Sequence, residues 1–217
     1  MVADVKRRSQ PVERQHVLLR NITWETFKAL VVALESQPNK RLTYDDGTLE
    51  IWMPLPLHER YKKFLARLVE ILTEAFDIEI CSLGSTTWNR EDLWKGVEAD
   101  ECYYIQSEPA IRGRMQIDLS VDPPPDLAIE IDITSLSLPR LSIYQALDVP
   151  EVWRFDGEQL TFLKLVDGEY QEIERLLALP LAKSEDLLSL IRKAQEMGET
   201  SWAKWVRQWA KELEETV

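Results

Sequence analysis

The strongest constraint in this sequence is one short run. After Pro123-Pro124-Pro125 come Asp126, Leu127, Ala128, Ile129, Glu130, Ile131, Asp132 and Ile133. Consecutive prolines cannot continue a helix and stiffen the chain into an extended entry. The apolar and β-branched residues that follow read as a strand. Glu130 places a charge inside that apolar run, and a buried carboxylate is costly unless it is paired or bound to a cation. Two readings stay open. The face carrying Glu130 and Asp132 lies in water and both are ordinary surface acids, or Glu130 is buried and a positive charge, such as a divalent metal ion, compensates it.

The rest of the chain supplies the partners of this strand. Thr23 as a cap, with Phe27, Leu30, Val31 and Leu34 at helical spacing, predicts a helix that ends at Pro38-Asn39. Asp45-Asp46-Gly47 between Arg41–Tyr44 and Leu49–Met53 predicts a β-hairpin. An amphipathic helix is expected from His58 to Phe76, with Tyr61, Phe64, Leu65, Leu68, Leu72 and Phe76 on one face. Ile78–Cys81 reads as a strand, Ser82–Gly96 as loop-rich, and Val97–Ile105 as one strand carrying Asp100. Ile111–Val121 shows no clear pattern. A short helix over Leu138–Leu147 precedes strands at Glu151–Phe155, Gln159–Lys164 and Tyr170–Ile173, with Asp156-Gly157 and Asp167-Gly168 at the turns. Helices follow from Ser184 and from about Ser201. The fold class expected is α/β, a mixed β-sheet flanked by helices over residues 21–180. A flexible arm over 1–20, with Lys6, Arg7, Arg8, Arg14 and Arg20, precedes it, and a C-terminal helical extension over 181–217 follows.

Composition narrows the function. The net charge of -12 repels a polyanion at long range, so any nucleic-acid contact needs local Lys and Arg. No apolar run is long enough to span a membrane, and the start has no apolar core of a secretory signal, so a cytoplasmic location is expected. The two cysteines, Cys81 and Cys102, have no zinc-ligand spacing and are expected as reduced, buried thiols. The two histidines are His16 and His58 and there are only seven glycines. No Gly-rich phosphate loop and no Gly-x-Ser-x-Gly is present, which argues against ATPases, serine hydrolases and zinc enzymes.

The chemistry therefore rests on carboxylates. Asp100 and Glu130 on neighbouring strands offer hard oxygen ligands suited to Mg²⁺ or Mn²⁺. Glu50 alternates with Leu49 and Ile51 on its strand, and His58 opens the long helix; both are second candidates, equally readable as a polar strand face and a helix start. Lys95, Arg112 and Arg114 could contact phosphate or lie in solvated loops. Trp202, Trp205, Trp209 and Leu213 form a stripe at helical spacing that reads as packing, with base stacking as the alternative.

Several of these segments resemble one family. They are Tyr44-Asp-Asp-Gly-Thr-Leu-Glu-Ile-Trp-Met-Pro54, His58, Gly96-Val-Glu-Ala-Asp-Glu-Cys-Tyr-Tyr-Ile105, Pro124-Pro-Asp126-Leu-Ala-Ile-Glu130-Ile-Asp-Ile-Thr-Ser135, Tyr144 and Val149-Pro-Glu-Val-Trp153. Their order and content resemble the Uma2 family, also called DUF820, of endonuclease-like proteins common in cyanobacteria. The resemblance implies a PD-(D/E)xK restriction-endonuclease-like core and an Mg²⁺-dependent DNA endonuclease. It implies Asp100 and Glu130 as metal ligands, with the Ile131 backbone carbonyl as a further one, and Glu50 and His58 flanking the cleft. Here Glu98-Ala99-Asp100 stands where the family usually has Glu-Pro-Asp. The family's lysine falls four residues before the tyrosine that matches Tyr144, which is Arg140. Arginine keeps the charge but cannot shuttle a proton. A chain that keeps the fold as a non-catalytic binding or scaffold protein is therefore the alternative. Folds of this type often pair to cut both strands, so a homodimer is expected.

Overall fold

The computed structural model describes residues 16–37, 39–133 and 138–215. In chain order the elements are β1 (His16–Leu19), α1 (Trp24–Leu34), β2 (Arg41–Asp45), β3 (Thr48–Trp52), α2 (Pro56–Ala75), β4 (Cys81–Ser82), β5 (Thr87–Arg90), β6 (Lys95–Glu98), β7 (Glu101–Tyr104), α3 (Glu108–Ile111), β8 (Leu127–Ile131), α4 (Arg140–Ala146), β9 (Glu151–Phe155), β10 (Leu160–Val166), β11 (Glu169–Glu172), α5 (Ser184–Lys193) and α6 (Glu199–Glu214). The strands form two sheets. One is five-stranded and antiparallel, in the order β1-β3-β2-β6-β5; the other is six-stranded, in the order β11-β10-β9-β8-β7-β4. The second is mixed, because β8 and β9 run parallel. That parallel step requires a crossover, which contains α4.

Local chemistry explains the elements that sit nearest the site. Thr23 caps α1, its side chain accepting from the Thr26 N–H. The β2–β3 turn places Asp46 at φ 41° and Gly47 at φ 79°, the paired left-handed geometry that matches strand twist in a tight hairpin. Pro56 at the first helical position starts α2.

Burial in β8 alternates between two cores. Leu127, Ile129 and Ile131 pack on the side of α2, α5 and α6, while Ala128 shares a core with Ile143, Tyr144 and Val152 on the side of α4. Both faces of the strand are covered, as a central strand with helices on each side requires. Glu130 therefore points under α4, not into water, and only 5% of it is exposed. Alternation alone left that question open; coverage of both faces decides it.

The structure departs from several expectations. Val97–Ile105 is not one strand: β6 pairs with β2 and β5 in the first sheet, and β7 pairs with β8 and β4 in the second. Ala99 and Asp100 carry the chain between them. Ser82–Gly96, expected to be loop-rich, also contains a strand, β5, whose Trp88 is buried against β6 and Tyr104. Ile78–Cys81 is a strand only from Cys81. Helix α1 stops at Leu34, with Glu35 as its C-cap, ahead of Asn39; Pro38 lies outside the described residues. Of the arm expected over 1–20, residues 1–15 lie outside the described residues, and His16–Leu19 form β1 on the edge of β3. Both cysteines are free, and burial pushes the Cys102 thiol up to about 12. No helix among the described residues is long and apolar enough to cross a membrane.

The C-terminal helices close the same core as the sheet. Trp202 is fully buried, meets Phe64 of α2 edge to face with ring centroids 5.5 Å apart, and donates from Nε1 to the Leu190 carbonyl at 2.8 Å. Trp205 is 37% exposed. Trp202→Ala should therefore cost about 3–5 kcal/mol of stability, as truncation of a buried aromatic does. Trp205→Ala should stay within about 0.5 kcal/mol. Urea unfolding of the two variants measures both.

Candidate active site

The site lies where the two sheets meet. Asp100 sits in the step between β6 and β7 and is fully buried. Its Oδ2 accepts from the Ile131 N–H of β8 at 2.8 Å and bonds His58 Nε2 of α2 at 3.1 Å. Its Oδ1 is buried with no hydrogen-bond partner. Burial alone would raise its pKa; the His58 hydrogen bond, the His58 and Arg140 charges and the Ile131 N–H outweigh this, and the carboxyl sits below the usual range. Burial also opposes charge on His58, but Asp100 and Glu59 hold the imidazole above its ordinary value. His58 Nδ1 stands 3.6 Å from Glu59 Oε1, so the ring lies between two carboxylates.

Glu130 faces α4 from β8. Arg140 and Tyr144, one helical turn apart on α4, take one oxygen each: Arg140 Nη1 donates to Oε2 and the Tyr144 hydroxyl to Oε1. Desolvation pushes the Glu130 carboxyl up to about 7, against the pull of the Arg140 charge. The Arg140 guanidinium also donates from Nη2 to the Glu98 carbonyl at 2.6 Å and from Nε to Thr43 Oγ1 at 3.3 Å. Its carbon stands 5.7 Å from the centroid of the Trp52 ring, a cation–π distance. Glu50 is fully buried on β3, and its Oε2 accepts from the Leu138 N–H at 3.3 Å. Its charge acts on Arg140.

Asp100, Glu130, Arg140, Glu50 and His58 thus share one buried region, although they come from different elements. Ile131 enters through its N–H on Asp100. Among the described residues, no three His, Cys, Asp or Glu side chains converge to hold a metal ion. A pocket of about 490 Å³ opens over Glu130, and Asp132, Ile133, Leu138, Arg140, Tyr144 and Arg154 are among its walls. Tyr144, Thr43 and Arg154 were not among the site residues expected from sequence. Tyr144 carried a signal, its spacing of one turn from Arg140; Thr43 and Arg154 carried none, because strand pairing brings them in. Lys95 is elsewhere, paired with Asp45 between β6 and β2. Arg112 and Arg114 are held by Glu108 and Asp122.

The pairing sets a clear stability expectation. Arg140→Ala strands Glu130 as a buried carboxylate, and breaking a buried pair from one side costs about 3–5 kcal/mol. The Glu130 carboxyl already titrates above its ordinary 4.5. Its protonated form is favoured in the fold, so its contribution is present below that ordinary value and is lost as pH rises through about 7. The penalty for Arg140→Ala should therefore be largest above about pH 7 and shrink toward pH 5, where Glu130 is neutral. Denaturant titrations of the variant and the native chain across this range measure it.

Residues 24–194 match the sequence model of the Uma2 family, described as "Putative restriction endonuclease". Among solved structures, the crystal structure of "a putative nuclease belonging to DUF820" from Anabaena variabilis aligns with a TM-score of 0.45 at 13% identity, over 69% of this chain and 90% of that one. Among curated proteins no significant relative is found. With the family match extending over most of its length, the chain belongs to the Uma2 family of restriction-endonuclease-like proteins.

Proposed function

We propose that this chain is a DNA endonuclease that hydrolyses phosphodiester bonds with an Mg²⁺ or Mn²⁺ ion held by Asp100 and Glu130. The observation that carries this reading is the Asp100 carboxylate. It is fully buried, one of its oxygens is held from two sides, and the other, Oδ1, has no partner. An open acceptor on a buried carboxylate is expensive unless a cation or donor meets it. The Glu50, Asp100 and Glu130 carboxylates all act on the Arg140 charge, so this region gathers acidic groups that an added cation would offset. Mg²⁺ keeps several waters and is commonly bound by one or two carboxylates plus substrate phosphate, so two acids and a backbone carbonyl such as that of Ile131 are a fitting donor set.

The ion, when bound, polarises the scissile phosphate and lowers the pKa of the attacking water. The chain's own residues do the rest. His58 and the Ile131 N–H fix Asp100 so that Oδ1 is the oxygen presented. Tyr144 and Arg140 fix Glu130. Arg140 stays protonated at any working pH, so it offsets negative charge developing on the phosphate through its field and does not move a proton. The attacking water must lose its proton to solvent or to another acceptor. Cutting both strands of a duplex calls for two such sites, which a homodimer would provide.

One observation favours the alternative, a binding or scaffold protein without catalysis. The guanidinium already occupies both sheets' hydrogen-bonding groups at the site and neutralises Glu130. Two measurements separate the readings. Asp100→Asn, Asp100→Ala and Glu130→Ala should each abolish plasmid cleavage in Mn²⁺, with circular dichroism showing that at least the conservative variant folds. Undiminished cleavage in all of them rules out the site. Calorimetric titration with Mn²⁺ should show binding to the native chain; none in the millimolar range supports the scaffold, and cleavage gained only in Arg140→Lys marks a decayed enzyme.

A further inference from the structure

We infer that Arg154, steered by Asp132, is the anchor for the substrate phosphate beside the carboxylates; this rests on the endonuclease reading and names the group that would hold the DNA backbone there. Strand β9 lies parallel to β8 with Arg154 opposite Glu130. Residues in direct register on neighbouring strands point to the same face, so Arg154 extends over the same pocket as Glu130. Asp132 lies on that face too, two residues along the chain, and its Oδ2 takes the Arg154 Nη2 donor.

The pocket contains two arginines, and they are in opposite conditions. All three nitrogens of Arg140 are engaged, by Glu130, the Glu98 carbonyl and Thr43, and it is buried. Each of its nitrogens already serves a group of the fold, and only 7% of its side chain is exposed. The Arg154 side chain is 41% exposed, and its ion pair with Asp132 uses one nitrogen. Asp132 is itself 28% exposed and meets the guanidinium from one side. A guanidinium presents a planar fork of donors matched to two phosphate oxygens. A carboxylate on one edge of that fork orients the rest. An exposed Arg–Asp pair adds little to stability, so this pair placed at the mouth of a pocket over a buried carboxylate is better explained by what it binds. It also answers the charge objection. A chain of net charge -12 can meet a polyanion only through local cations, and Arg154 is the accessible one in this pocket among the described residues.

The two halves of the pair have opposite expected effects, which a merely structural ion pair would not. Binding of a labelled duplex oligonucleotide, followed by fluorescence anisotropy in Ca²⁺ across a salt series, reads them. Arg154→Ala should weaken binding about tenfold and reduce the slope of log K against log salt by about 0.9, the loss of one phosphate contact. Asp132→Asn should bind as tightly as the native chain or more tightly, because the amide oxygen still accepts from the guanidinium and orients it while the negative charge is gone. Mn²⁺ binding by calorimetry should be unchanged in Arg154→Ala. The inference is overturned if Arg154→Ala keeps the native affinity and slope, or if both substitutions weaken binding alike; either leaves the metal site standing. A native chain that binds no duplex at any salt overturns the anchor and the endonuclease reading together.

Discussion

One guanidinium holds the site together. Arg140 reaches the Glu98 carbonyl of β6 and Thr43 of β2 in the five-stranded sheet, and Glu130 of β8 in the six-stranded sheet. A charge this deeply buried is tolerated only with a partner and with its donors satisfied. Those partners belong to two sheets, so the requirement fixes the angle and spacing at which the sheets meet. Tyr144, one turn on, completes the bonding of Glu130. Asp100 adds a second tie at the same junction, joining the β6–β7 step to β8 and, through His58, to α2. The polar centre is therefore part of the fold's scaffold as well as its candidate chemistry.

Much of this was legible in the sequence, for local reasons. Asp46-Gly47 specifies its turn because both positions need positive φ. Thr23 marks a helix start because a side-chain oxygen there meets a free N–H. The α2 stripe is readable because it is amphipathic over several turns. Glu130 stood out as a charge in an apolar run, whereas Arg140 was reached only through the resemblance to the family, by counting back from Tyr144.

What was not legible depends on pairing between distant segments. Val97–Ile105 looks continuous because both halves are buried, and periodicity cannot show that β6 and β7 serve different sheets. With that step hidden, Asp100 read as a strand residue, although it stands in the turn between the two. Strand β5 was missed because its pattern is short and only Trp88 is fully buried. The Arg154 position beside Glu130 follows from a parallel register that the sequence does not state. Asp132 was ambiguous between surface acid and site acid, and it proves half-exposed, paired at the pocket mouth.

The account makes one central physical demand, that Asp100 and Glu130 can present oxygens to a single ion while Arg140 stays in place. Anomalous diffraction from crystals soaked in Mn²⁺ tests this most directly. The account predicts one anomalous peak between the Asp100 and Glu130 carboxylates, with both residues as its ligands. Crystals that stay free of any peak there at millimolar Mn²⁺, with the Arg140–Glu130 pair unchanged, would contradict it.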